Sequence, residues 1–170
     1  MPNSPSPLNY FQGSGNLYWK PAGGVERHVG NATKFEVGIE LTKVEHNERM
    51  TASRAVDRIF FPSSKATWAC TLEEITPENL AMAFLGTIAT NSAANKVMSA
   101  LATTSLTGQW RLNGTNDVGS KMEVIIANAQ ITPSGTFDFL AEDLGTLELE
   151  GIGTGSPPFT VEELSEEATA

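Results

Sequence analysis

The feature that most constrains the fold is a strict alternation of apolar and polar residues across positions 34–42. The apolar residues occupy every second position: Phe35, Val37, Ile39 and Leu41. The positions between them are polar or glycine: Lys34, Glu36, Gly38, Glu40 and Thr42. Because strand side chains alternate between two faces, this pattern predicts a strand with one buried face and one hydrated face.

A long hairpin is predicted around this strand. Residues 54–61 form a second extended stretch that Pro62 ends, so residues 34–61 pair as two strands. The polar segment between them, 43–53, is longer than the roughly two to five residues of most hairpin loops. Excess loop length in a compact domain predicts a functional projection, with a mobile tip as the alternative.

Most of the remaining chain also predicts strands. Ala66, Trp68, Cys70 and Leu72 alternate with polar residues, and Trp68 and Cys70 are expected in the core. Further strand candidates follow short turn signals: 17–20, 108–112, 121–128, 135–141 and 146–151. Residues 87–106 are small and polar and predict either a second short helix around 94–101 or a loop.

One helix is clearly marked near 77–85. Thr76 is a candidate N-cap, Pro77 suits the first helical position, and Gly86 supplies a stop. One helix of this length cannot form a core, so its apolar stripe must pack on a sheet. About seven strands and one helix predict a mainly β fold, a β-sandwich or half-barrel with one flanking helix.

The chain divides into one domain and two arms. Residues 1–16 are rich in Pro, Ser, Gly and Asn and predict an N-terminal arm. Residues 17–152 hold the alternating stretches and the helix, and predict the sandwich domain. Residues 153–170 begin as a Gly/Pro linker and end as an acidic C-terminal arm.

Charge is distributed unevenly along the 170 residues. Residues 1–121 contain 11 basic and 10 acidic residues, whereas residues 122–170 contain 10 acidic residues and no Lys or Arg. The net charge is −9. An acidic surface repels phosphate backbones, which excludes an ordinary DNA-binding protein; solubility alone is the alternative explanation.

Motifs for catalysis, metals and cofactors are not found in the sequence. His28 and His46 lack companions at metal-ligand spacing, and Cys70 is a single cysteine without a visible base. No phosphate-binding glycine fingerprint and no membrane-length apolar run occur. The N-terminus lacks the layout of a secretion signal. We therefore expect a protein made in a cytosol, without enzyme activity, metal or cofactor.

Several segments together resemble the major tail tube protein family of long-tailed bacteriophages. Three early segments resemble the family's opening strand and the segment after it: 15–21 (GNLYWKP), 26–31 (ERHVGN) and 34–37 (KFEV). Three later segments resemble the family's entry to a long loop and the helix that follows: 44–46 (VEH), 72–81 (LEEITPENLA) and 84–86 (FLG). The resemblance covers roughly residues 15–90 in order and spacing, while the loop after His46 departs from the family's Tyr/Ser-rich version.

The resemblance implies a structural subunit rather than an enzyme. Members of this family are β-sandwiches with a flanking helix that form hexameric rings, and the rings stack into a hollow tube through which DNA leaves the virion. The implied partners are further copies of the chain and the tail terminator, tape measure and distal tail proteins. The implied location is the virion tail, assembled in the host cytoplasm, without membrane contact.

Two groups of residues are candidates for function within such a tube. DNA must slide without sticking, so carboxylates are expected on the lumen wall. The lumen candidates are Glu36, Glu40, Asp138, Glu148 and Glu150, with an outer solvated face as the alternative. The candidates for contacts between rings lie in the long loop: Val44, Glu45, His46, Asn47, Glu48 and Arg49.

Two other functions remain open at this stage. A β-sandwich capsid decoration protein or phage adhesin module would stay monomeric or trimeric, whereas a tube subunit would polymerise. A small-ligand binder of the lipocalin type would need a barrel closed within one chain, and the helix at 77–85 interrupts the strand series.

Overall fold

The computed structural model describes residues 10–47, 56–116, 119–133, 137–140 and 143–164. Within these residues the protein is mainly β, with one helix, α1 (Pro77–Ala83). The strands are β1 (Gly13–Pro21), β2 (Arg27–His28), β3 (Ala32–Asn47), β4 (Val56–Leu72), β5 (Thr87–Thr90), β6 (Lys96–Ser99), β7 (Leu106–Asn116), β8 (Lys121–Thr132), β9 (Leu147–Gly153) and β10 (Thr160–Leu164).

One antiparallel sheet contains eight of the strands and folds over itself as a sandwich. Its order is β2-β1-β7-β8-β9-β4-β3, and β10 pairs with β8 beside β9. The layer of β9, β4 and β3 faces the layer of β1 and β7, because the rings of Trp68 and Trp110 lie 5.3 Å apart. The sheet stays open, since β2 and β3 at its two ends do not pair with each other.

Three tryptophans form the centre of the core. Trp19 of β1, Trp68 of β4 and Trp110 of β7 are buried, and the Trp19 and Trp110 rings lie 4.8 Å apart in a tilted arrangement. Cys70 is also buried, so the predicted core positions Trp68 and Cys70 are confirmed. Other buried residues complete this core: Leu17, Leu72, Ile126, Ile131, Leu147 and Leu149.

The helix begins as predicted and ends earlier. The Thr76 side chain accepts a hydrogen bond of 3.2 Å from the Asn79 backbone N–H, and Pro77 occupies the first turn. The helix ends at Ala83 rather than residue 85. The left-handed residue after it is Leu85, with φ of 46°, and not the predicted Gly86. Burial of the Leu85 side chain helps to offset the backbone strain.

Strand β4 corrects the prediction that Pro62 ends a strand. It runs unbroken from Val56 to Leu72 and pairs with β3 along its length. The register slips beside Pro62, where Thr42 pairs with Ser63 and Val44 with Phe60. A proline is tolerated at such a bulge because it has no N–H to donate to the ladder.

Three further segments differ from the sequence prediction. Residues 87–106, predicted as a helix or loop, contain the β5–β6 hairpin. The described part of the predicted strand 135–141, residues 137–140, is a turn instead. The arm boundary at 16/17 falls within β1, the boundary at 152/153 falls within β9, and the segment 153–170 contains β10.

Candidate functional site

The β3–β4 hairpin projects beyond the sandwich. Strand β9 covers β4 only from Leu72 to Ala66, so the outer half of the hairpin, residues 39–47 and 56–65, has no sheet neighbour among the described strands. Its apolar side chains are exposed, including Ile39 at 63% and Phe61 at 59%. The apolar face of β3 therefore continues past the core into solvent.

Four of the six predicted contact residues lie in this projection. Val44, Glu45, His46 and Asn47 belong to β3, so the loop predicted at 43–53 begins at least five residues later than expected. His46 pairs in register with Arg58, and Val44 with Phe60. Glu48 and Arg49 lie outside the described residues.

Four of the five lumen candidates share one face of the sheet. Glu36 lies opposite Ala69, and Ala69 lies opposite Glu150, so the two carboxylates flank one small residue of β4. Directly opposed residues in antiparallel strands point to the same side. By the same register, Glu40 and Glu148 lie on this side too. We call Glu36, Glu40, Glu148 and Glu150 the acidic face.

Two lysines reduce the charge of the acidic face. Lys34 forms an ion pair of 2.9 Å with Glu36, and Lys65 forms one of 2.9 Å with Glu40. Within the described part of the chain, Glu148 and Glu150 have no ion-pair partner, so β9 supplies the uncompensated charge. An open groove of about 660 Å³ lies between these strands, with Glu36, Glu40 and Glu150 in its lining.

Asp138 lies apart from the acidic face. It follows β8 in the turn at 137–140, where its carboxylate accepts a hydrogen bond of 2.8 Å from the Leu140 backbone N–H. The prediction that Asp138 shares a strand face with Glu148 and Glu150 is wrong. A turn forms here because an aspartate side chain can bond the backbone two residues ahead.

A charged cluster on the other layer was missed by the sequence analysis. Arg111 of β7 binds Glu26 through two hydrogen bonds, of 2.9 and 2.5 Å, and reaches Glu123 of β8 at 3.3 Å. Its guanidinium also lies 4.3 Å from the centroid of the Tyr18 ring. The hydrogen bonds from Arg111 lower the pKa of Glu26, and those to Glu26 raise the pKa of Arg111. Because Arg111 and its partners are distant in sequence, no local sequence motif predicts the cluster.

The described residues contain neither a metal-ligand cluster nor a reactive thiol. They contain no group of three or more His, Cys, Asp or Glu side chains placed to hold a metal. Burial raises the pKa of the Cys70 thiol to about 12, which leaves it protonated and unreactive near neutral pH. In the part of the chain that the structure describes, no helix has the length and apolar character needed to span a membrane.

Comparison with protein families gives a match over residues 10–110. The matching family is described as "Protein of unknown function UCP028589". The chain belongs to this family. The matched region begins before β1 and ends within β7, so it includes the whole projecting hairpin and the helix. No curated protein matches the chain.

The fold is similar to that of a solved tail structure. The match is to a chain described as "Tail of empty GTA particle computed with helical refinement, C6 symmetry". It covers 89% of this chain and 96% of the other, with a TM-score of 0.51 and 9% sequence identity. At this identity the comparison establishes a shared fold.

Proposed function

We propose that the protein is a structural subunit of a phage-like tail tube, in which hexameric rings stack into a hollow conduit for DNA. The observation that carries this proposal is the fold match to a C6-symmetric, helical tail over 89% of the chain. The sequence resemblance across residues 15–90 points to the same class of protein independently.

The open sheet supports assembly into rings. Only β4 pairs with β3 among the described strands, so the other edge of β3 presents unpaired backbone groups over 16 residues. Exposed strand edges recruit further strands, and a closed ring of copies satisfies them without uncontrolled association. The projecting hairpin of each copy brings a long free edge to such a ring.

The acidic face supplies the wall of the conduit in this proposal. Its four glutamates, counted with their ion-pair partners Lys34 and Lys65, have a net charge of −2 per copy. In a ring, each of the six copies would contribute this charge. Carboxylates give DNA no counterion-releasing contacts, and their field extends only about 8 Å at physiological salt. DNA would therefore slide past the wall without specific binding.

Further partners follow from the geometry of a filament. A head-to-tail contact repeated along an axis gives an open polymer whose length it does not set. A tube of defined length therefore needs other proteins that set its length and end it, and the family resemblance implies that these are the tape measure, tail terminator and distal tail proteins. The proposed location is the virion tail, with assembly in the host cytoplasm.

Electron microscopy of the purified full chain over a concentration series tests the proposal. We expect rings at low concentration and hollow rods of six-fold symmetry at high concentration. A chain that stays monomeric or trimeric at every concentration would contradict the proposal and favour a capsid decoration or adhesin module.

A further inference from the structure

An open pocket lies between the segment after β4 and the connection from β8 to β9. Its volume is about 270 Å³, and its apolar wall consists of Ile75, Phe137, Phe139 and Leu144. Phe139 and Leu144 are 70% and 75% exposed. We call this site the distal pocket. Large apolar side chains that cluster at a surface mark binding sites, so the distal pocket is a candidate site for a partner.

The distal pocket carries negative charge that its own lining does not neutralise. Glu73, Asp138 and Asp143 line it, and no Lys, Arg or His is among its described lining residues. The β8–β9 connection cannot supply a cation, because residues 122–170 contain no Lys or Arg. An apolar pocket with three carboxylates is complementary to a ligand that has both cationic and apolar groups.

Contacts with the body of the protein hold the distal pocket in shape. The Asn31 side-chain amide donates a hydrogen bond to the Glu73 carboxylate, and Asp138 accepts one of 2.8 Å from the backbone N–H two residues ahead. The Phe137 ring packs on the core and meets the Phe139 ring edge-on at 4.7 Å. Because two carboxylates and the aromatic wall are already fixed, binding costs less conformational freedom than it would in a flexible loop.

The arrangement of the three carboxylates favours a ligand with several separate cationic groups. In the described residues, no group of three or more His, Cys, Asp or Glu side chains is placed to hold a metal, so these carboxylates do not converge on one ion. Arginine carries its charge at the end of an apolar stem, and its guanidinium stacks on exposed aromatic rings such as that of Phe139. A nucleic acid is disfavoured because its phosphates would meet carboxylates.

We propose that the distal pocket binds a basic segment of a different protein, in which arginines reach its carboxylates and stack on Phe139 while an apolar side chain between them contacts Leu144. The inference goes beyond the proposed tube function and applies to the free chain as well. A second copy of this chain is disfavoured as the occupant because four of its lysines already form ion pairs with its own glutamates: Lys34, Lys43, Lys65 and Lys96.

The first test is calorimetric titration of the full chain with a capped peptide of alternating arginine and leucine, RLRLR. The protein is kept below the concentration at which it polymerises. Spermidine is the comparison ligand, because it carries the same charge of +3 without apolar side chains. We expect saturable binding of the peptide and affinity for spermidine that is about tenfold lower, since the leucines add apolar burial. No binding of the peptide, or equal affinity for spermidine, would overturn the inference.

A pair of double variants locates the binding site. Phe139→Ala/Asp143→Asn removes one ring and one charge from the distal pocket and should weaken peptide binding about tenfold. Leu101→Ala/Glu162→Gln is the matched control, because Leu101 is 77% exposed and Glu162 is an exposed carboxylate of β10, both outside the pocket lining. The control should bind the peptide as the wild type does. Equal affinities of the two double variants would show that the peptide binds elsewhere and that the inference is wrong.

A protection experiment leaves Phe139 and the three carboxylates in place. Cys70 is buried, so the cysteine introduced by Leu144→Cys is the reactive thiol. The RLRLR peptide should slow its alkylation by a maleimide, whereas the thiol of a Leu101→Cys chain should react at the same rate with and without peptide. An unchanged rate at Leu144→Cys, or equal slowing at both positions, would contradict the proposed site. Peptide binding by a chain that forms no rods would contradict the tube function alone.

Discussion

Arg27 and Asn79 are 52 residues apart in sequence, and the Arg27 guanidinium donates a 2.8 Å hydrogen bond to the Asn79 side-chain oxygen. The Asn79 amide nitrogen donates to the carbonyls of Val29 and Glu74, at 2.8 and 2.7 Å. Asn79 is fully buried. One side chain of α1 thus joins β2, the turn before β3 and the segment after β4.

Asn79→Ala should be strongly destabilising. It removes the hydrogen bonds that the Asn79 side chain makes with the Val29 and Glu74 carbonyls and leaves Arg27 only its weaker contact with the Met82 sulfur. Unsatisfied buried polar groups cost about 1–3 kcal/mol each. We expect the free energy of unfolding to fall by about 3 kcal/mol, measured by urea denaturation. Asn95→Ala on the exposed turn between β5 and β6 is the control and should change it by less than about 0.5 kcal/mol. Equal effects of the two variants would contradict the role of Asn79.

The Arg111–Glu26 pair predicts a stability difference that depends on pH. Hydrogen bonds from Arg111 lower the pKa of Glu26 below its ordinary value of 4.5 in the folded state. The stabilisation is therefore present above pH 4.5 and disappears as pH falls through the folded pKa. We expect Glu26→Gln to cost about 1 kcal/mol at pH 7 and less at pH 2.5, measured by urea denaturation.

The control for this pair is Glu36→Gln. Glu36 also forms an ion pair, with Lys34, but its side chain is 62% exposed, so the pair contributes little to the free energy of unfolding. Its removal should leave stability nearly unchanged at both pH values. A Glu26→Gln cost that stays constant across the pH range would contradict the ion-pair explanation.

Cys70 should be protected from alkylation in the folded protein. Burial raises the pKa of its thiol to about 12 and blocks access of the reagent. We expect iodoacetamide at pH 8 to label it only after denaturant unfolds the chain, as measured by mass spectrometry. Leu101→Cys supplies an exposed thiol that should react at once under the same conditions. Labelling of Cys70 at a comparable rate in the folded chain would contradict the buried position.

Strands with one buried face were predictable from the sequence, whereas exposed strands were not. The alternation of Phe35 and Val37 with Glu36 was informative because one face of β3 packs on the core. Strand β10 gave no such signal, since most of its side chains are exposed and it is placed by backbone pairing with β8. The prediction that Pro62 ends the strand was wrong because a register slip between β3 and β4 accommodates the proline. That slip depends on how the two strands pair and is not visible in the sequence.

The candidate site was predictable only in part for the same reason. That Glu36 and Glu40 share a face follows from strand periodicity alone. That Glu148 and Glu150 join them depends on β9 pairing with β4, which brings together residues about 80 positions apart. The prediction that Asp138 lies on a strand was wrong because its side chain stabilises a turn. Apolar and polar residues alternate in this segment, and that pattern alone predicted the strand.

Charge reversal on the acidic face tests the proposed lumen. Glu148→Lys/Glu150→Lys converts the uncompensated carboxylates of β9 into cations that can contact phosphates. We expect rods of this variant to retain labelled duplex DNA at 50 mM salt and to lose about 10³-fold in affinity by 200 mM, because each phosphate contact releases counterions. Co-sedimentation of DNA with rods across a salt series measures this, and wild-type rods should retain none.

Glu162→Lys is the matched control for this reversal. By register Glu162 lies opposite Glu123, on the layer that carries Arg111 rather than on the acidic face. A cation added there is outside the proposed conduit and should not retain DNA within a tube. If Glu162→Lys rods bind as much DNA as the β9 variant, added positive charge alone explains the binding. In that case the acidic face would be an outer surface of the assembly and not its wall.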